Sequence, residues 1–311
     1  MNVKGLLVSF LIIIYVVTII GVVWWIAMSG DASIKSAEAL MAGALFILGP
    51  MGILLFEPVR VNINSWLSNS FVNPSIYRIL IFGHAGSGKT TFIETAFTFG
   101  NDTNTESTKE FKYYKFKIVL GLQEEEKNVA IADYRGQKLS QIILDGDKNF
   151  FGTKNNRLIN AIIFIVDLVP RQTDNNGIIL DNDQLIKWLS DGNGINEIES
   201  RLRDNYMYIN RNILQVLFEL LLSRNLQKVV FLINKIDIME TLIDNGHISL
   251  TNYSNARQYA LHKYEDTILE IDKFCSANNI DFSQDKSVFC IEGTNPHDVK
   301  PVILHLLKSR Q

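Results

Sequence analysis

Apolar residues are spread unevenly along this chain. From Gly5 to Met28 no charged residue interrupts a run of mostly Leu, Ile and Val that closes near Trp24 and Trp25. Such a run is long enough to cross a hydrocarbon core of roughly 30 Å as a helix, and the tryptophans suit an interfacial belt. Ala39 to Phe56 is a second apolar run, near the minimum span, carrying Gly43, Gly49, Pro50 and Gly52. Ser29 to Glu38 forms a short polar loop between them, with Asp31, Lys35 and Glu38. The pattern predicts a transmembrane helical hairpin over 1–58. The alternatives are a cleaved signal peptide for the first run and a buried core helix for the second. The first run is long for a signal sequence, and no clear A-x-A site follows it. Residues 59–75 are rich in Asn and Ser, with Val61, Ile63, Trp66 and Phe71 interspersed. They read as a linker or a membrane-surface segment, and Asn73-Pro74 marks its end.

Beyond this point the apolar period changes. Short buried-type runs at 77–82, 111–120, 128–132, 158–167, 227–233 and 287–290 predict six strands. Helical spacing marks 206–224, with Ile209, Ile213, Val216, Leu217, Leu220 and Leu221 on one side. It also marks 254–277 and 296–309, and a helix start at 91–97. Residues 101–110 are polar without an apolar period and predict a mobile loop. Residues 168–203, rich in Asn, Asp and Gly, predict loops around a short helix at 184–189. Strands alternating with helices give an α/β domain over 76–311.

Composition narrows the function classes. The formal net charge of -3 over 311 residues offers no broad basic excess to neutralise phosphates, which argues against a nucleic-acid partner. The two cysteines, Cys275 and Cys290, supply neither a disulfide framework nor zinc spacing, and a reducing compartment is the simplest reading. Histidines 84, 247, 262, 297 and 305 show no ligand spacing.

Three motifs carry the chemistry. Gly83-His84-Ala85-Gly86-Ser87-Gly88-Lys89-Thr90 fits G-x-x-x-x-G-K-[ST], lying between the predicted strand 77–82 and a helix start. The glycines let backbone N–H groups wrap a polyphosphate at a helix N-terminus. Lys89 is placed to reach the β- and γ-phosphates and Thr90 to ligate Mg2+, with Thr91 completing the phosphate-binding set. Asp133-Tyr134-Arg135-Gly136-Gln137 ends the strand 128–132. There Asp133 can hold Mg2+ and the Gly136 N–H can approach a γ-phosphate. Asn234-Lys235-Ile236-Asp237 closes the strand 227–233. Asn234 offers a donor and an acceptor to a purine edge, and the Lys235 stem can cover the base plane. Asp237 can accept from two neighbouring N–H groups, which guanine has and adenine lacks. Asp167, at the end of 158–167, reads either as a functional carboxylate or, more simply, as a cap or loop residue.

The order of these motifs, each at a strand end, resembles the Ras-like small GTPase superfamily over residues 76–311. Asp133 to Gln137 is most similar to the Arf and signal-recognition-particle-receptor-β branch. The resemblance implies an α/β P-loop NTPase: a mainly parallel six-stranded sheet flanked by helices, preceded by the membrane hairpin. It implies that Gln137 orients the attacking water. Thr108, in Thr108-Lys109-Glu110-Phe111, becomes a second Mg2+ ligand. Cys290-Ile291-Glu292 occupies the base-binding loop, departs from the family's sequences there, and keeps only backbone contact to guanine. The intervals 168–205 and 238–255 are longer than a minimal member needs. A hairpin before a P-loop domain is also similar to the start of the large inner-membrane NTPase subunit of type VI secretion systems.

The expectation is therefore a multi-pass, two-span membrane protein with its GTPase domain in the cytosol. It binds GTP or GDP with Mg2+, hydrolyses GTP slowly, and acts as a switch through loops 101–110 and 133–157. Its partners are guanine nucleotide, membrane lipid and a protein effector. Arg135 or Arg171 could supply an arginine in cis, or be plain surface residues. The alternatives are a GTP-bound membrane docking module with incidental hydrolysis, and an NTPase component of a secretion system.

Overall fold

The computed structural model describes residues 76–107, 111–120, 125–134, 148–153, 156–192, 194–249 and 252–308. Three strands form its centre because their sequences are apolar on both faces: β1 (Ile76–Phe82), β7 (Ala161–Asp167) and β8 (Lys228–Asn234). Between β1 and β7 come α1 (Lys89–Phe97), β2 (Asn101–Ser107), β3 (Phe111–Leu120), β4 (Glu125–Tyr134), α2 (Lys148–Phe151) and the small hairpin β5 (Gly152–Thr153) and β6 (Asn156–Arg157). After β7 the chain runs through α3 (Asn182–Ser190), α4 (Gly194–Tyr208) and α5 (Arg211–Leu221) to β8. It then forms α6 (Ile236–Asp244), α7 (Ala256–Lys263), α8 (Glu265–Ala277), α9 (Gln284–Ser287), β9 (Val288–Ile291) and α10 (Pro296–Leu307).

The main sheet has seven strands in the order β2-β3-β4-β1-β7-β8-β9. From β4 to β9 every neighbour is parallel, while β2–β3 and β3–β4 are antiparallel. Side-chain alternation divides the core into two faces. Leu80, Phe82, Ile162, Phe164, Val166, Phe231 and Ile233 meet the packed residues of α3 to α8. Ile79, Ile81, Ile163, Ile165, Val230 and Leu232 meet Phe92 and Ile93 of α1 and Val299, Val302 and Ile303 of α10. The chain leaves β1 for β4 on one side and returns to β7 on the other. The loop after β1 therefore opens at the reversal point of the sheet, where open α/β sheets bind ligands.

Several expectations are corrected. The sheet has seven strands, not six, because Asn101–Ser107 is a strand and not a loop. It pairs with β3 at the edge, with a register shift between Asn101 and Asn104. An edge strand can be held by backbone hydrogen bonds alone, and an exposed row of Asn and Thr needs no apolar alternation. The interval 168–203 holds the expected short helix, as α3, and also residues 194–203 of the long helix α4, where loop was expected. The single helix expected over 206–224 is two, parted where Asn210 turns extended and its side chain accepts from the N–H groups of Asn212 and Ile213.

The two-span membrane placement is corrected as well. Among the described residues no helix is long and apolar enough to cross a membrane. The runs 5–28 and 39–56, which carried that expectation, and the linker 59–75 lie outside the described residues.

Candidate nucleotide site

The loop after β1 turns tightly at two glycines, Gly86 at φ +81° and Gly88 at φ +87°. At Gly88 the requirement is double. A left-handed residue leads into α1, and a Cβ there would stand 2.1 Å from the Asn234 side-chain nitrogen. Lys89, in the first turn of α1, folds back along the loop. Its Nζ donates to the carbonyls of Gly83 at 2.9 Å and His84 at 3.1 Å. An ammonium has three N–H bonds, so one donor is left for a ligand cradled by the loop. Burial lowers the Lys89 pKa, against the pull of Asp133 and Asp167.

Thr90 and Asp133 meet at the rim. Thr90 Oγ1 donates to Asp133 Oδ2 at 2.9 Å. Asp133 lies near the end of β4, paired with Ile81 of β1, which brings its carboxylate beside the loop. Among the described residues no three His, Cys, Asp or Glu gather to hold a metal. Two hard oxygens beside a phosphate loop are what Mg2+ takes, since it is commonly held by one or two protein ligands with water and substrate phosphates. The donor set therefore fits that ion.

Asn234 ends β8 and braces the site. Its Nδ2 donates to the Ser87 carbonyl at 3.0 Å, and its Oδ1 accepts from the Gly293 N–H at 2.8 Å. One amide thus ties the loop after β1 to the loop after β9. Thr95 Oγ1 adds a bond to the Gly293 carbonyl at 2.8 Å. Lys235 follows in the left-handed region, φ 61°, and opens α6. Asp237 lies half-buried in the first turn of that helix. Burial raises its pKa and the nearby Glu292 adds to this, while the N–H groups of Ile238 and Asp237 itself oppose the rise.

The 290–292 stretch leads to the same rim. Ile291 is buried in β9 and paired with Asn234. Cys290 is half-buried, and burial pushes its thiol up to about 11, away from reactivity. The Glu292 N–H donates to Asp298 at 2.9 Å, and its carboxylate accepts from Thr294 at 2.8 Å. Glu292 is thereby committed to shaping its own loop.

A buried polar network lies beneath these groups, and sequence reasoning missed most of it. Asp167, fully buried at the end of β7, pairs with Arg201 of α4 at 2.6 Å and with Lys235 at 2.7 Å. Arg201, only 5% exposed, also donates to the Ala85 carbonyl at 2.9 Å and to His84 Nδ1. Asn205 and Tyr264 donate to the Asp167 carbonyl at 2.8 and 3.0 Å. His84 stands edge-on to Tyr208. Its pKa is lowered by burial and then by Arg201, against Asp204 and Asp167. The one available signal was a carboxylate closing an otherwise apolar strand.

The loop, α1 and Lys235 face a cavity of about 500 Å3, roofed by Arg171, Gln172, Ile179, Leu180 and Leu185. Thr91 lines it beside Thr90. The structure thus brings Gly83 to Thr91, Asp133, Asn234 to Asp237 and the 290–292 stretch to one edge of one sheet. Thr108, Gly136 and Gln137 lie outside the described residues. No known protein family matches the chain, and no curated protein is similar to it at a significant level.

Proposed function

We propose that this protein binds guanine nucleoside triphosphates with Mg2+ and hydrolyses GTP to GDP, changing state between the two forms. The observation that supports it best is Asn234, whose amide joins the phosphate loop to the loop after β9. That bond makes the phosphate cradle and the base-recognition end one rigid frame, so a ligand that fits one is presented to the other. Loop amides, Lys89 and the N-terminus of α1 bind the phosphates and stabilise negative charge. Thr90 and Asp133 hold Mg2+, which supplies charge neutralisation on the phosphate oxygens. Asp237 selects guanine by accepting two hydrogen bonds that adenine cannot offer. Turnover in the protein alone is slow, on the scale of unassisted P-loop GTPases. The resemblance to Ras-like GTPases rests on these residues and extends to a switch function.

The test is equilibrium binding of GTP, GDP and ATP to the full chain with magnesium, followed by single-turnover GTP hydrolysis. Tight guanine nucleotide binding with ATP excluded supports the reading. Equal competition by ATP, or a folded protein indifferent to GTP, would falsify it.

A further inference from the structure

Arg171 follows β7 and stands on the wall between two cavities. One is the cavity beside Lys89 and Lys235; the other, about 410 Å3, is lined by His84, Ala85, Glu197, Ser200 and Asp204. Its stem is packed on the phosphate loop. A Cβ built on Gly86 would lie 2.9 Å from Arg171 Cβ and 3.5 Å from its Cδ. The side chain therefore runs across the apex of the turn, where Gly86 leaves room for it. The residue is exposed, and among the described residues its guanidinium has no carboxylate or carbonyl partner.

The other cations of the site are engaged within the protein. Lys89 holds two carbonyls, Lys235 holds Asp167 and the Val169 carbonyl, and Arg201 holds Asp167 and the loop. Among the described residues, Arg171 alone of these four brings a planar fork of donors with no protein partner to the rim of the loop. A stem already laid against the loop reduces the entropy lost when the head is fixed, and a guanidinium matches phosphate oxygens two at a time.

We propose that Arg171 is a phosphate-contacting residue of this site, closing over the polyphosphate from the segment after β7. The proposal rests on the nucleotide reading given above. Glu197 and Asp204 offer the guanidinium a competing position in the second cavity.

Wild-type chain, R171Q and R171K are titrated with GTP, ATP and guanosine at two salt concentrations. The expected loss for R171Q is about ten- to a hundredfold in GTP affinity, the scale of one charge-assisted contact. R171K recovers part of it, as a point charge without the fork. The salt dependence of GTP binding flattens in R171Q, while guanosine affinity and the melting temperature of the nucleotide-free protein stay put. Unchanged GTP affinity in R171Q overturns the proposal, and so does a loss shared equally by guanosine. If wild type binds ATP as well as GTP, the guanine reading fails, but the Arg171 comparison is still decided on either triphosphate. A wild type that binds no triphosphate overturns both.

Discussion

Lys235 reaches back 2.7 Å to Asp167, a carboxylate wholly buried at the end of β7. The same carboxylate holds Arg201, which grips the Ala85 carbonyl in the phosphate loop. Two strand ends, one helix and the phosphate loop are thus joined through a single side chain. The cation expected to cover the base and the cation that anchors the loop share one counter-ion.

Removing that counter-ion leaves buried Arg201 without a counter-charge, and leaves Lys235 the Val169 carbonyl but no carboxylate. D167A is expected to lose about 3–5 kcal/mol of stability, the cost of breaking a buried pair from one side. Denaturant unfolding of the two proteins measures it. The expected pattern also includes weaker nucleotide binding. A loss below about 1 kcal/mol would mean the network is no stronger than a surface ion pair.

Gly88 and Asn234 are expected to fail together. In G88A the new methyl meets the Asn234 amide and forces a side chain onto a left-handed backbone. N234A instead deletes the bonds to Ser87 and Gly293, worth about 1–3 kcal/mol in sum. Each variant should weaken GTP binding, and the double variant should lose less than the two separate losses added. Strict additivity in a double-mutant cycle would show that the two residues act independently.

Much of this site was readable in the sequence because its chemistry is local. Gly83 to Thr90 is one contiguous run, and β1, β7 and β8 announce themselves by being apolar on both faces. The Asp133 and Asp237 motifs declare themselves by standing at strand ends. What was not readable arises only when distant parts meet. Arg201 lies 34 residues from Asp167, inside a stretch whose Asn, Asp and Gly content resembles loop. Nothing in its own neighbourhood marks it as buried. Asn101–Ser107 was hidden for the opposite reason: an edge strand takes its order from a neighbour's backbone and leaves little hydrophobic trace.

Acid should loosen the loop through His84. Its pKa is held below the ordinary 6.5 by burial and by Arg201, so the folded protein favours the neutral ring that accepts from Arg201. Below 6.5 the unfolded chain binds the proton first, and stability falls with pH by linkage. The stabilisation is fully present above 6.5 and is lost as pH drops through the lowered folded value. Asp204 and Asp167 face the same ring and moderate the effect. Wild type should therefore lose stability as pH falls below about 6.5 more steeply than H84Q, in which this titration is absent. Parallel pH profiles for the two proteins would rule out the role of His84.

Asp237 gives the sharpest test of base choice. On the proposed reading an aspartate there accepts from two guanine N–H groups, whereas an asparagine offers one acceptor and one donor. Xanthine presents a carbonyl where guanine has its amino group, so D237N should exchange preference from GTP towards XTP. The mismatch of one donor at a half-buried site costs about 2–4 kcal/mol, or roughly thirty- to a thousandfold in relative affinity. Because burial and Glu292 raise the Asp237 pKa, wild-type GTP affinity should also decline on acidification above the ordinary aspartate range. D237N, with no carboxyl to protonate, should not show that component. Competition of labelled GTP by XTP, repeated from pH 7.5 to 5, reads both effects in one series. GTP affinity in D237N equal to that of wild type would remove Asp237 from the base site, and with it the reason for reading this cradle as guanine-specific.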